Sequence, residues 1–375
     1  MQLNQLLARN PDKSATLKLI QQLAQPYKNL PEVHFAISQA AWFANQHPLA
    51  QEEMQRALAL RPEWEIAAVH NGRILQRNSV EQASKFYRDY LDKYPASNEV
   101  RVAYARLLIG AGEADQARQQ VQWLVEKNPD DAEIMLAAGL LATEMGDFAA
   151  TETNFKKALA LGYKDTNAVN FHLAQIYEET NRPDLAMETY QMVKSGGRYL
   201  PAQIRYADLL ALKGHLQEAR EHLKKLPAAN DQQAAHLILA EAQILRRSKA
   251  HQEVYDLLDA GLKKLPDYPE LLYDRALAAD KLGKFKILEQ DLRKLIKLKP
   301  DNAHAYNALG YSFAERGTHL PEALKLIRKA VELSPDDPYI MDSLGWVYFR
   351  MGNFTEGLNF LNLAFAARPD PEIAA

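Results

Sequence analysis

Residues 303–337 read AHAYNALGYSFAERGTHLPEALKLIRKAVELSPDD, and residues 338–371 repeat the design as PYIMDSLGWVYFRMGNFTEGLNFLNLAFAARPDP. Each copy holds two amphipathic helical segments, split by a glycine and closed by a proline. In the first copy Tyr306, Leu309, Gly310, Phe313, Gly317, Ala323, Ile327, Ala330 and Pro335 carry the pattern, with one residue inserted near His319. Met341, Leu344, Gly345, Tyr348, Gly352, Gly357, Leu361, Ala364 and Pro369 carry it in the second. The closing prolines recur along the chain at Pro62, Pro95, Pro129, Pro266, Pro300, Pro335 and Pro369, several of them 33, 34 or 35 residues apart. Three further units with the same hydrophobic pattern fill the interval from Pro129 to Pro266.

A period of this length, built from helix–turn–helix units, resembles the tetratricopeptide repeat (TPR). The resemblance implies an all-α fold, a right-handed superhelical α-solenoid of stacked repeats. Ten repeats are expected, at 31–63, 64–97, 98–131, 132–166, 167–199, 200–229, 230–268, 269–302, 303–337 and 338–371, forming one continuous solenoid. Residues 1–30 read as a partial repeat followed by a lone helix at about 14–26, and 372–375 as the start of a further helix. Both ends therefore read as cut through a repeat, leaving Phe360, Leu363 and Phe365 partly exposed and open to self-association.

Each residue type has a mechanical reason. Gly139, Ala174, Ala207, Ala276, Gly310 and Gly345 keep the first helix small where the second helix crosses it, and Ala50, Ala83, Ala117, Ala186, Ala219 and Ala323 do the same from the second helix. A large side chain at such a site overpacks the crossing, at about 1–3 kcal/mol. Gly112, Gly146, Gly214, Gly283, Gly317 and Gly352 end first helices, where a left-handed cap suits glycine. Pro183 and Pro321 open second helices, where the first N–H needs no partner.

The chain of 375 residues is 47% hydrophobic and 25% charged, with a formal net charge of −3, so it has no general pull toward nucleic acid or acidic membrane. No apolar run approaches the ~20 residues that span a bilayer. The absence of cysteine excludes disulfides, thiolate metal sites and cysteine nucleophiles from this chain. The ten histidines form no i, i+4 pair with glutamate of the zinc-helix kind, and His215 and His222 are expected at surface or rim positions. Gly110-Ala111-Gly112 lacks the strand and lysine of a phosphate loop and reads as a turn. No nucleophile elbow or calcium loop appears. The chain is accordingly expected to be no enzyme and to use no cofactor or metal. The lysine-rich stretch Lys281–Lys299 reads as a solvated outer side without the aromatic interleaving of a nucleic-acid site.

Function is expected on the wall lined by the first helices. The repeat pattern places Gln39, Arg106, Gln175, Asp208, Gln243, Tyr311 and Trp346 there, joined by Tyr273, Asn307, Asp342 and Arg350. Amides, charges and large aromatics of this kind suit protein binding. The carboxylate clamp of chaperone-binding TPRs needs a Lys–Asn pair and then Asn, Lys and Arg on the next two first helices; that series is absent.

A narrower resemblance covers essentially the whole chain. LLYDRALAADKLG (271–283), DLRKLIKLKPDNAHAYNALGYSFAERG (291–317), SPDDPYIMDSLGWVYFRMGN (334–353), PDPEIAA (369–375) and NLPEVHFAISQAAWFANQ (29–46) resemble proteobacterial outer-membrane TPR lipoproteins. That family includes the lipoprotein partner of a carboxyl-terminal processing protease. The resemblance implies a periplasmic adaptor that binds the protease and presents substrates such as cell-wall hydrolases. The lipid-attachment cysteine and signal sequence of that family are not in this chain, so the anchor is an inference. A scaffold for another envelope assembly, such as pilus or lipopolysaccharide machinery, and the recognition arm of a larger enzyme stay open as alternatives.

Overall fold

The computed structural model describes residues 12–369 and is helical throughout them. The chain divides into two compact units, with the boundary between Ser195 and Gly196. The expected features at Leu6–Pro11 and Asp370–Ile373 lie outside the described residues.

The first unit begins with α1 (Lys13–Ala24) and a single 3₁₀ turn (Gln25–Tyr27), followed by helical hairpins. These are α2 (Pro31–Phe43) with α3 (His47–Leu60), α4 (Glu65–Asn78) with α5 (Val80–Lys93), and α6 (Asn98–Gly110) with α7 (Ala114–Lys127). Two more follow, α8 (Ala132–Glu144) with α9 (Phe148–Ala160) and α10 (Thr166–Glu179) with α11 (Pro183–Gln191). The second unit pairs α12 (Tyr199–Leu212) with α13 (Leu216–Lys225), α14 (Asp231–Arg247) with α15 (His251–Lys264), and α16 (Pro269–Lys281) with α17 (Phe285–Leu298). It ends with α18 (Ala303–Glu315) paired to α19 (Leu320–Leu333), and α20 (Pro338–Arg350) paired to α21 (Phe354–Ala367).

Local chemistry starts and stops these helices. Asp131 and Asp337 each accept two backbone N–H groups at the start of a first helix, and Asn302 accepts one. The six expected turn glycines all have φ between +65° and +90°. Where a hairpin has no glycine, Asn45, Asn181 or Lys249 takes the left-handed turn position instead, with φ of 59°, 54° and 56°. The insertion near His319 is absorbed the same way: His319 has φ 50° and its ring packs 5.2 Å from Phe313.

Small residues govern the crossings. A Cβ added to Gly139 would lie 2.4 Å from the Phe155 ring, and one on Gly310 would lie 2.6 Å from Ile327. On Gly345 it would meet Leu361 at 2.7 Å and the Gly357 carbonyl at 2.9 Å. Sequence reasoning passed over Gly72, which has the tightest site: its added Cβ would fall 2.0 Å from the Tyr87 ring. Ala50, Ala83, Ala117, Ala186, Ala219 and Ala323 are fully buried.

Successive first helices lie side by side within each unit: α4 on α6, α6 on α8, α12 on α14, α14 on α16, and α18 on α20. No second helix of the described residues packs comparably on the next second helix. The first helices therefore line the inner side of each unit. The outer lysine-rich stretch is partly spent on neighbouring repeats: Arg293, besides its pair with Glu289 on the same helix, reaches Glu322, Lys294 pairs with Asp267, and Lys284 sits 3.7 Å over the Tyr255 ring. On the last hairpin Leu363 and Phe365 are exposed, while Phe360 stacks on Tyr348 at 5.7 Å and is half-buried.

Candidate protein-binding wall

In the first unit the wall residues sit in three different settings. Gln39, on α2, is only 7% exposed, and its Nε2 lies 3.4 Å from His70 Nε2 on α4. Both line a partly enclosed pocket of about 280 Å³ with Trp42, Phe43 and Ile74, and Arg73 stands at the same site. Burial, helped by the Arg73 charge, holds His70 down at a pKa of about 4, so the imidazole is neutral at pH 7. Arg106 is tied to Glu144 of α8 at 3.1 Å, both side chains well exposed. Gln175 is exposed and its Oε1 lies 3.2 Å from His172 Nδ1, one turn earlier.

The second unit holds the other eight candidates. Asp208 is buried between Arg205, at 3.0 Å, and Arg247 of the next first helix. It is a structural clamp between α12 and α14 rather than an open contact. Gln243 and Tyr273 line a groove of about 350 Å³ with Leu239, Arg246, Asp274 and His304. Arg246 and Asp274 are ion-paired across that groove.

The remaining five converge on α18 and α20. Tyr311 is 40% exposed; burial, reinforced by Glu315, Asp342 and Asp280, pushes its hydroxyl pKa up. Asp342 has no hydrogen-bond or ion-pair partner among the described residues, and burial raises its carboxyl to a pKa of about 6. Trp346 stacks on Phe349 at 5.4 Å, packs against the core, and carries Arg350 5.6 Å from its ring. Arg350 in turn donates to the Glu315 carbonyl at 2.7 Å. The Asn307 Oδ1 and the Trp346 Nε1–H are both shut off from solvent without a partner. An exposed tyrosine beside a carboxylate without a partner is a combination that suits a contact surface better than a pure packing face.

Sequence reasoning missed His70, Arg73, Asp280, Glu315 and Phe349. Position alone could have found Phe349, three residues after Trp346; the others depend on contacts between repeats. His222, expected at the surface or rim, is half-buried at the rim, where its Nε2 lies 2.9 Å from Gln203 Oε1 and its ring packs on Tyr206 between α12 and α13. Among the described residues no group of His, Asp and Glu is arranged to hold a metal ion, and no helix is long and apolar enough to cross a membrane.

The fold and its inner wall define a class, the helical-repeat scaffolds that bind other proteins. Tetratricopeptide-repeat family models match residues 75–140, 136–201 and 273–338, and the chain belongs to that family. It is 34% identical over 209 residues to TPR repeat-containing protein PA4667 of Pseudomonas aeruginosa, covering 56% of this chain and 35% of that protein. It is 25% identical over 300 residues to cellulose synthase operon protein C of Pseudomonas fluorescens, covering 74% of this chain and 23% of that protein. The chain thus spans about a third or less of the length of these relatives. Among solved structures, yeast Tom70 superposes with a TM-score of 0.49 at 12% identity, over 98% of this chain and 91% of that one.

Proposed function

We propose that the chain is an adaptor with no chemistry of its own, which holds a carboxyl-terminal processing protease at the periplasmic side of the outer membrane and presents proteins such as cell-wall hydrolases to it. Protein binding is supported above all by the α18–α20 wall, where the exposed Tyr311 ring and the unpaired Asp342 carboxylate stand beside the half-buried Trp346. The identity of the partners and the membrane anchor rest on the resemblance of residues 341–350 and their flanking runs to the outer-membrane TPR lipoproteins. A wall built from many repeats can hold two proteins at once, which raises their mutual effective concentration by orders of magnitude.

The test is a degradation assay with a purified processing protease and a cell-wall hydrolase, with and without the chain. Acceleration of about tenfold or more, lost in a Tyr311→Ala/Asp342→Asn double variant, is the expected result. An unchanged rate at saturating chain concentration overturns the adaptor reading. The relative named for a cellulose synthase operon supports a second reading, a scaffold for a polysaccharide-synthesis assembly. Binding to synthase components but not to the protease decides for it.

A further inference from the structure

The pocket between the first two hairpins has a composition that packing does not require. Its floor is apolar, formed by Trp42, Phe43, Met54 and Ile74. Its volume of about 280 Å³ accommodates one large side chain with adjoining backbone. No carboxylate of the described residues lines it, and Arg73 at its edge is exposed and makes no hydrogen bond or ion pair with a described residue. Lys13 adds a second cation nearby, 6.0 Å from the Phe43 ring. Gln39, 7% exposed, sets its Nε2 3.4 Å from His70 Nε2, and no described residue donates to its Oε1.

We propose that this pocket captures the free carboxyl terminus of a protein chain that ends in a large apolar residue. The terminal side chain fills the apolar floor, the α-carboxylate pairs with the Arg73 guanidinium, and the terminal N–H donates to Gln39 Oε1. Charge complementarity selects this occupant. A neutral internal segment leaves the guanidinium without its counter-ion, and an aspartate or glutamate side chain leaves the floor unfilled. A fatty acid satisfies floor and cation but has no N–H for Gln39. A charge-assisted, planar Arg–carboxylate contact at the rim of an apolar pocket is a strong pairing. The inference rests on the protein-binding reading of the first-helix wall and names the partner chemistry at one end of it.

Fluorescence anisotropy on the full chain tests it, with a labelled octapeptide ending in leucine as free acid and as C-terminal amide. The free acid is expected to bind about tenfold tighter than the amide. Arg73→Gln, an exposed change that leaves the fold intact, is expected to bring the acid down to the amide's affinity. Replacing the terminal leucine by glycine is expected to weaken the acid by a similar factor. Equal affinities for acid and amide overturn the proposal. So does displacement of the peptide by decanoate at equal potency, which makes the site a fatty-acid pocket, and so does no saturable binding up to about 1 mM. Protease acceleration by the wild-type chain separates the two readings: if it is seen while the same chain captures no peptide, only the pocket assignment falls.

Discussion

The inner walls of the two units are built on one repeat pattern and carry opposite chemistry. Around Gln39 the first unit sets a neutral imidazole and an unpaired arginine over an apolar pocket. Around Tyr311 the second sets aromatics beside Asp280, Glu315 and Asp342, with Asp342 unpaired. The packing positions cannot differ in this way, because a small residue at each helix crossing is dictated by contact distance. Wall positions are not set by the contact distance at a helix crossing, so the same scaffold holds a cationic site in one unit and an anionic one in the other. Packing residues and wall residues should therefore fail differently when changed.

The largest effect is expected at a crossing. Gly345→Leu must push Leu361 or the Gly357 carbonyl aside and should cost about 3 kcal/mol in thermal or urea unfolding. A loss under about 0.5 kcal/mol means α20 and α21 do not cross as closely as described. Next come the two wall aromatics, which the sequence treats alike. Trp346 packs against the core whereas Tyr311 does not, so Trp346→Ala should cost about 2 kcal/mol and Tyr311→Ala less than about 0.5. Equal losses erase the distinction between packing and wall residues on α18 and α20.

Two pH profiles sharpen the contrast between the units. The folded pKa of His70, about 4, lies below its ordinary 6.5, so its contribution is complete above pH 6.5 and is lost as pH falls through 4. Discounted for solvent screening, this is about 1.5 kcal/mol, and His70→Gln should remove that part of the acid slope in melting temperature. Asp342 has the reverse sign. Its folded pKa of about 6 lies above 3.8, so its contribution is complete below pH 3.8 and is lost as pH rises through 6. Asp342→Asn should therefore gain about 1 kcal/mol over the wild type at pH 7.5 and nothing at pH 3.5, again after discounting. If both variants shift the profile in the same direction, the opposed electrostatics of the two walls are wrong.

Much of the architecture was legible because it is local or periodic. The glycines at Gly112, Gly146, Gly214, Gly283, Gly317 and Gly352, the closing prolines, and caps such as Asp131 and Asp337 are read one residue at a time. Phe313, Ile327 and Leu344 fall into the core by spacing alone. Wall positions were legible as positions, and less so in their roles. Gln39 and Asp208 come out largely buried, Arg106 and Arg350 are occupied by Glu144 and the Glu315 carbonyl, and Trp346 serves wall and core together.

By itself, the sequence determined the helical hairpins, their length, and which residues must be small where helices cross, because those follow from a period near thirty-four and from backbone conformation. Tertiary structure alone decided which wall groups remain available. Asp208 meets Arg247, Arg246 meets Asp274, and Gln39 meets His70 across separations of 39, 28 and 31 residues. A side chain chooses among several such neighbours by reach, rotamer and charge, and a one-dimensional repeat specifies only that neighbours exist. Arg73 and Asp342 stand out because no described residue answers them, a property of the assembled wall rather than of any segment of chain.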